Sequence, residues 1–209
     1  LIESVRSFGY DLNTAIADIV DNSITAKASE INVHLEWNDG EPLVSVTDNG
    51  VGMSETELSH NIILGSKNPN DERDLSDLGR FGLGMKTASL SMARQLNVFS
   101  QKEKGSLSFR SWDLDIVEKT GKWLIAKKHP DWFESFPDEL KPDECGTLII
   151  WKNCDRILQY AKDLKTLRQR AVELSSHLGV VFSRFLSGRN QISITVNGSR
   201  AEPWSPIPE

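Results

Sequence analysis

Long apolar runs are missing from this chain: no stretch approaches the roughly 18–20 consecutive apolar residues that span a bilayer. The pattern of a secretory signal is missing too. Cysteine is nearly absent. Cys145 and Cys154 form neither a disulfide framework nor a metal-ligand spacing, so reduced thiols in a soluble, cytoplasmic setting are expected. The four histidines, His34, His60, His129 and His177, are scattered without a pair at helical spacing, which argues against a zinc site. Positive charge is outnumbered, 24 Lys and Arg against 30 Asp and Glu, for a net charge of −6. The domain as a whole is therefore no electrostatic trap for nucleic acid. There is no internal repeat and no low-complexity tract. Position 1 is Leu rather than Met, and a piece of a longer protein is expected.

What is present is ordinary for a globular protein: 209 residues, 38% hydrophobic and 26% charged, enough for one large domain or one domain and part of a second. Residues 12–27 read as a helix, with Ala15, Ile16, Ile19, Val20, Ser23 and Ala26 on one side and Thr14, Asp18, Asp21, Asn22 and Thr25 on the other. Ile31–Glu36 and Leu43–Asp48 alternate apolar and polar residues around Asn38-Asp39-Gly40 and predict a β-hairpin. Ser54 and Glu57 form a capping box opening a short helix to about Leu64.

Residues 65–79, GSKNPNDERDLSDLG, offer almost nothing to bury and read as a long loop of the kind that serves as a lid. Leu83–Ala93 predicts a helix, and strands are expected near Leu96–Gln101, Ser106–Trp112, Lys122–Lys128 and Thr147–Trp151. His129–Gly146 reads as a surface connection. A long helical segment, interrupted at Gly179, is expected from Leu158 to Leu186. A strand Gln191–Val196 then ends in the turn signal Asn197-Gly198. A boundary is placed near residue 155.

Three segments carry chemistry. In ADIVDNSITA, Asp18 and Asn22 stand four residues apart on one helix face. An amide oxygen there can meet Mg²⁺ while a carboxylate orients water, although the pair taken alone reads more readily as a solvated polar face. In DNGVGM, Asp48 ends a strand and can accept from the exocyclic amine of a base, while Gly50 and Gly52 permit close approach. A plain Asn-Gly turn would look the same. In GRFGLGMKTA a glycine-rich turn runs into a helix, where free N–H groups can hold phosphate. Met85 breaks the P-loop pattern and Thr87 breaks G-x-G-x-x-G, and no apolar strand leads in.

In this order the segments resemble the N-box, the adenine-binding turn and the second glycine box of the GHKL ATPases (gyrase, heat-shock chaperone, histidine kinase, MutL). Gly146-Thr147, opening the apolar strand LIIW, is similar to the family's Gly-Thr step. The resemblance covers roughly residues 5–155, with a flavour closest to MutL- and MORC-like proteins.

The resemblance implies a Bergerat fold: an α+β two-layer sandwich, a mixed, mainly antiparallel sheet with helices on one face, and an ATP lid. Residues 1–155 would form the ATP-binding domain, and 156–209 a helical connection and the start of a transducer-like region. It implies ATP and Mg²⁺ as ligands. Asn22 would bind the metal, Asp48 would accept from the adenine amino group aided by a water that Thr147 holds, and Gly50, Gly52 and Met53 would line the base with Ala26 packing nearby. Gly82, Leu83, Gly84, Met85 and Lys86 would lie at the phosphates, with Lys67 and Arg80 weaker candidates.

Family members that hydrolyse ATP usually carry Glu four residues before the Asn. Here Asp18 stands in that place, one methylene shorter, so slow hydrolysis is expected. The implied role is an ATP-driven switch that favours homodimerisation in a larger protein. A histidine-kinase-type phosphotransferase and a non-hydrolysing nucleotide sensor are the alternatives. Arg156, Lys162, Lys165, Arg168, Arg170, Arg184 and Arg189 read as a solvated basic face, so nucleic acid would enter only through the longer protein. No membrane partner is expected.

Overall fold

The computed structural model describes residues 6, 9–38, 40–63, 84–138, 141–188 and 191–204. Among them a single eight-stranded sheet runs in the order β5-β4-β3-β6-β2-β1-β7-β8. The strands are β1 Glu30–Asn38, β2 Glu41–Asp48, β3 Gln95–Gln101, β4 Ser108–Asp113, β5 Ile125–Ala126, β6 Gly146–Lys152, β7 Ser193–Val196 and β8 Ser199–Arg200. Only the β1–β7 pair is parallel; the others are antiparallel. The α+β class and the mainly antiparallel sheet expected from the sequence are both present.

The helices are α1 Leu12–Thr25, α2 Glu55–Ile62, α3 Gly84–Met92, α4 Leu114–Thr120, α5 Leu164–Val181 and α6 Ser183–Leu186. Asp11 caps α1 by accepting from the Thr14 N–H. The buried stripe Ala15, Ile16, Ile19 and Val20 then turns to the sheet, where it meets Ile31, Val33, Val46, Leu96, Val98, Ile149 and Trp151. Trp151 is fully buried and donates to Ser89 Oγ over 2.8 Å, which ties α3 to the centre of the sheet. The predicted capping box at Ser54 and Glu57 opens α2. Among the described residues no helix is long and apolar enough to cross a membrane.

Several elements differ from the sequence reading. The strand expected over Lys122–Lys128 shrinks to Ile125–Ala126 at the sheet edge. Residues 114–120, not anticipated as a helix, form α4, because Asp113 accepts from the N–H groups of Asp115 and Ile116.

The stretch 129–146 is more than a surface connection. It carries a 3-10 helix, Asp131–Ser135, whose Phe133 stacks on Phe99 at 3.7 Å between ring centroids. With Phe136, Phe109, Leu43, Leu148 and Ile150 it builds a second core on the sheet face away from α1.

Gly179 does not break the helical segment. A Cβ there would stand 2.2 Å from the Glu202 carbonyl oxygen. The glycine thus lets the backbone at Glu202 cross α5 closely, and α5 continues to Val181. α5 packs on α1 and β1, and β7 extends the sheet beyond β1, so one hydrophobic cluster runs from Leu12 to Ala201.

Candidate functional site

On β2, β6 and β3 every second residue faces the helices, and the register aligns them into rows. Val44, Trp151 and Leu96 form one row, and Val46, Ile149 and Val98 the next. All six are buried and apolar. The following row is polar: Asp48, Thr147 and Ser100. All three are buried as well. A polar row continuing an apolar sheet face carries a desolvation penalty unless its groups are partnered.

The partners are found. Asp48 accepts from Ser23 Oγ at 2.8 Å and from the Gly50 N–H at 2.9 Å. Burial raises the Asp48 pKa above the usual carboxylate value, and hydrogen bonds from Gly50, Ser23 and Thr147 pull it partly back. Ser100 Oγ accepts from the Met53 N–H at 2.8 Å, donates to the Gly146 carbonyl at 3.1 Å, and lies 2.9 Å from Thr147 Oγ1.

The turn after Asp48 is folded onto this row by backbone contacts that exclude side chains. Gly52 has φ +62, and a Cβ on it would lie 1.9 Å from the Gln101 carbonyl oxygen. A Cβ on Gly50 would lie 2.8 Å from the Ala26 carbonyl oxygen. That carbonyl instead receives the Val51 N–H at 2.9 Å, which joins the turn to the C-cap of α1. Asn49 holds the next segment, accepting from the N–H groups of Ser29 and Glu30.

On α1, Asp18 is half-buried and Asn22 exposed. Asn22 Nδ2 donates back to the Asp18 carbonyl at 2.6 Å, which leaves Oδ1 as the side-chain oxygen turned outward. Asp18 Oδ2 accepts from the Tyr10 hydroxyl at 2.7 Å. The same oxygen lies 3.7 Å from where a Cβ on Gly84 would stand, so the carboxylate faces the first turn of α3. Burial, followed by the Asp18 hydrogen bond, raises the Tyr10 pKa and keeps it a donor.

Lys86 is buried, and its amine donates to the carbonyls of Asn61 at 2.8 Å and Ile63 at 2.6 Å. Those carbonyls belong to the end of α2, where a cation is favourable. Trp112 Nε1 caps a third, Ile62 O, at 3.0 Å. Met85 packs half-buried against the main core. Gly82 and Leu83, like Lys67, Arg80 and the expected lid 65–79, lie outside the described residues.

The structure therefore brings Asp48, Gly50, Gly52, Met53, Ala26 and Thr147 together at one end of the sheet. Asp18, in the middle of α1, meets Tyr10 and faces Gly84 at the first turn of α3, with Asn22 one turn further along α1. Sequence reasoning missed Ser100, Ser23 and Tyr10 as members of the site. Ser100 and Ser23 each left a signal: Leu96, Val98 and Ser100 share a strand phase, and Ser23 falls on the apolar stripe of α1, so each is a polar residue on an inward face. Tyr10 left none, since it precedes α1 outside any period.

The site is thus a mainly antiparallel sheet holding a buried Asp at a glycine turn, beneath a helix with Asp and Asn four residues apart. A model of the family "Histidine kinase-, DNA gyrase B-, and HSP90-like ATPase" matches residues 10–147, and the chain belongs to that GHKL family.

Among curated relatives, it is 29% identical over 192 residues to ATPase MORC2B of Mus musculus, covering 88% of this chain and 18% of that protein. It is 26% identical over 174 residues to the DNA mismatch repair protein MutL of Neorickettsia sennetsu, covering 80% and 23%. It is 27% identical over 152 residues to the chaperone protein HtpG of Vesicomyosocius okutanii, covering 68% and 24%. The matched region thus spans less than a quarter of each of these three relatives.

Proposed function

We propose that this domain binds ATP with Mg²⁺, hydrolyses it slowly, and works as a nucleotide-driven conformational and dimerisation switch within a larger protein. The observation that carries the reading is the buried Asp48, held by Ser23 and Gly50 with acceptor capacity to spare, beside a turn whose glycines leave no room for a side chain. A carboxylate kept buried in this way is matched to an amine that replaces its lost water. The adenine amino group is such a partner.

The phosphates would then extend along α1 toward the first turn of α3, where Gly84 and the N–H groups behind it stand. Asn22 fits a Mg²⁺ ligand: its amide nitrogen is committed to the Asp18 carbonyl, and its oxygen is the hard donor left over. Bound there, Mg²⁺ would neutralise charge on the phosphates. Asp18 would orient and deprotonate the attacking water, held in place by Tyr10. Lys86, whose amine also bonds the carbonyls at the end of α2, would bring a positive charge to the phosphate side of the site. Residues 156–209, which lay α5 and β7 onto the same sheet, would pass the nucleotide state to the rest of the longer protein. Nucleic acid enters the reading only there, as a partner of the whole protein.

The test is calorimetric titration with a non-hydrolysable ATP analogue and Mg²⁺, beside Asp48→Asn and Asp18→Asn. Micromolar-range binding lost in Asp48→Asn and kept in Asp18→Asn supports the reading. In the full-length protein, Asp18→Asn should bind and fail to turn over. Turnover equal to wild type would remove Asp18 as the base, and a wild type that releases no phosphate would make the domain a nucleotide sensor. Transfer of phosphate to a supplied His-containing helix would instead mark a kinase.

A further inference from the structure

On one side the sheet ends at β5, two residues that pair with Ser111 and Trp112 of the six-residue β4. Among the described residues, 125–129 make no backbone–backbone bond beyond that pairing. The outer N–H and C=O groups of β5 thus form an open edge of the kind an added strand can pair. Trp123, just before β5, turns inward and packs edge-on against Trp112, with ring centroids 4.7 Å apart. Its neighbour Leu124 is left 49% exposed.

Lysines bracket this edge. The stretch 119–128, KTGKWLIAKK, places Lys119 and Lys122 before β5 and Lys127 and Lys128 after it, and it holds no acid, in a chain of net charge −6. All four lysines are exposed. The carboxylates just upstream are committed elsewhere: Asp115 and Glu118 pair with Arg94, and Asp113 accepts from the first N–H groups of α4 and from Gln95. The chain from Lys122 to Lys127 can reach no further than about 18 Å, the length of an ordinary strand.

We propose that the β5 edge is a docking site for an extended acidic peptide segment. The segment adds a strand to the sheet, sets its carboxylates against the lysines at both ends, and covers Leu124 with an apolar residue. Lysine at a sheet edge repels a strand like its own, so a second copy of this chain does not fit: pairing two of these edges sets lysines against lysines. A nucleic acid backbone can meet the lysines, but it brings no strand to the open edge and no apolar cover for Leu124. The surface lies apart from the residues of the nucleotide reading and does not depend on that reading.

The probe is a strand-length, fluorescein-labelled peptide alternating Glu and Val, followed by fluorescence anisotropy. Expected is saturable binding to wild type that weakens about fivefold or more in Lys127→Glu/Lys128→Glu. Lys162→Glu/Lys165→Glu, at the start of α5, should bind within about twofold of wild type, as expected of charges outside the interface. Methylating every backbone nitrogen of the peptide keeps its charges and removes its donors, and binding should then be lost. Equal weakening in the two double variants, or undiminished binding of the methylated peptide, would reduce the contact to general charge attraction and overturns the proposal. So does a wild type that binds duplex DNA through Lys127 and Lys128 and not the peptide, or one that binds neither. Should the charge reversal not fold, Lys127→Gln/Lys128→Gln removes the charges at similar shape and decides the same way.

Discussion

The Tyr10 hydroxyl donates to Asp18 Oδ2 over 2.7 Å, from a residue that precedes α1 to one in the middle of it. The phenol also lies against the Thr87 hydroxyl of α3. One side chain therefore spans the two helices between which the phosphates would lie, and it fixes a carboxylate that is one methylene shorter than the family's usual Glu.

Tyr10→Phe removes that hydrogen bond and leaves the ring. Turnover by the full-length protein should fall about tenfold, a part of the roughly 10²–10⁴-fold that a general base contributes, with nucleotide affinity within about twofold of wild type. Steady-state phosphate release beside calorimetry checks both. Unchanged turnover would mean that the Asp18 carboxylate needs no such support.

Asp48→Asn should abolish nucleotide binding without destabilising the domain at neutral pH. Burial raises the Asp48 pKa, so the folded state holds the proton more tightly than the unfolded chain does. Stability contributed by Asp48 is then greatest at low pH. It declines as pH rises from the unfolded carboxylate value of about 4 through the higher folded value. The Asn variant lacks this decline. Thermal melts should show it at least as stable as wild type at pH 7, with its advantage shrinking toward pH 4. A variant that is weaker at pH 7 than at pH 4, relative to wild type, contradicts the argument.

Gly52 and Gly105 separate backbone strain from steric exclusion. Both have positive φ, +62 and +80, but a Cβ on Gly105 meets nothing within 4 Å, whereas one on Gly52 meets the Gln101 carbonyl. Gly105→Ala should cost about 1–3 kcal/mol, the range for a non-glycine residue in a left-handed conformation. Gly52→Ala should cost more and should also impair nucleotide binding. Chemical denaturation of the two variants checks the order, and equal losses would show that packing against β3 matters little.

Lys86→Met tests an anchor against a phosphate contact. Leaving the Asn61 and Ile63 carbonyls without their ammonium donor should destabilise the nucleotide-free domain by about 1–3 kcal/mol. A variant that melts like wild type but has lost nucleotide binding would instead place Lys86 at the phosphates.

Much of the fold was readable because its signals are local. The Asp18–Asn22 spacing, the Ser54–Glu57 capping box and the hairpin around residue 40 each depend on residues a few positions apart, and the structure forms all three elements. What was misread depends on distant partners. Phe133 and Phe136 look like residues of a polar surface stretch until Phe99 and Phe109 are set opposite them. Gly179 looks like a helix breaker until Glu202 is seen to cross it.

By itself the sequence determined the class of the protein, the order of its motifs and the periodicity that turns α1, β2 and β6 toward one another. Local propensity and apolar spacing suffice for that. Only the tertiary structure decided which polar groups share a row. Ser100 lies 47 positions from Thr147 and 47 from Met53 along the chain. No short-range pattern reveals that one buried hydroxyl must bond both of them. Strand register sets the Ser100–Thr147 pairing, and register is fixed by packing across the whole sheet.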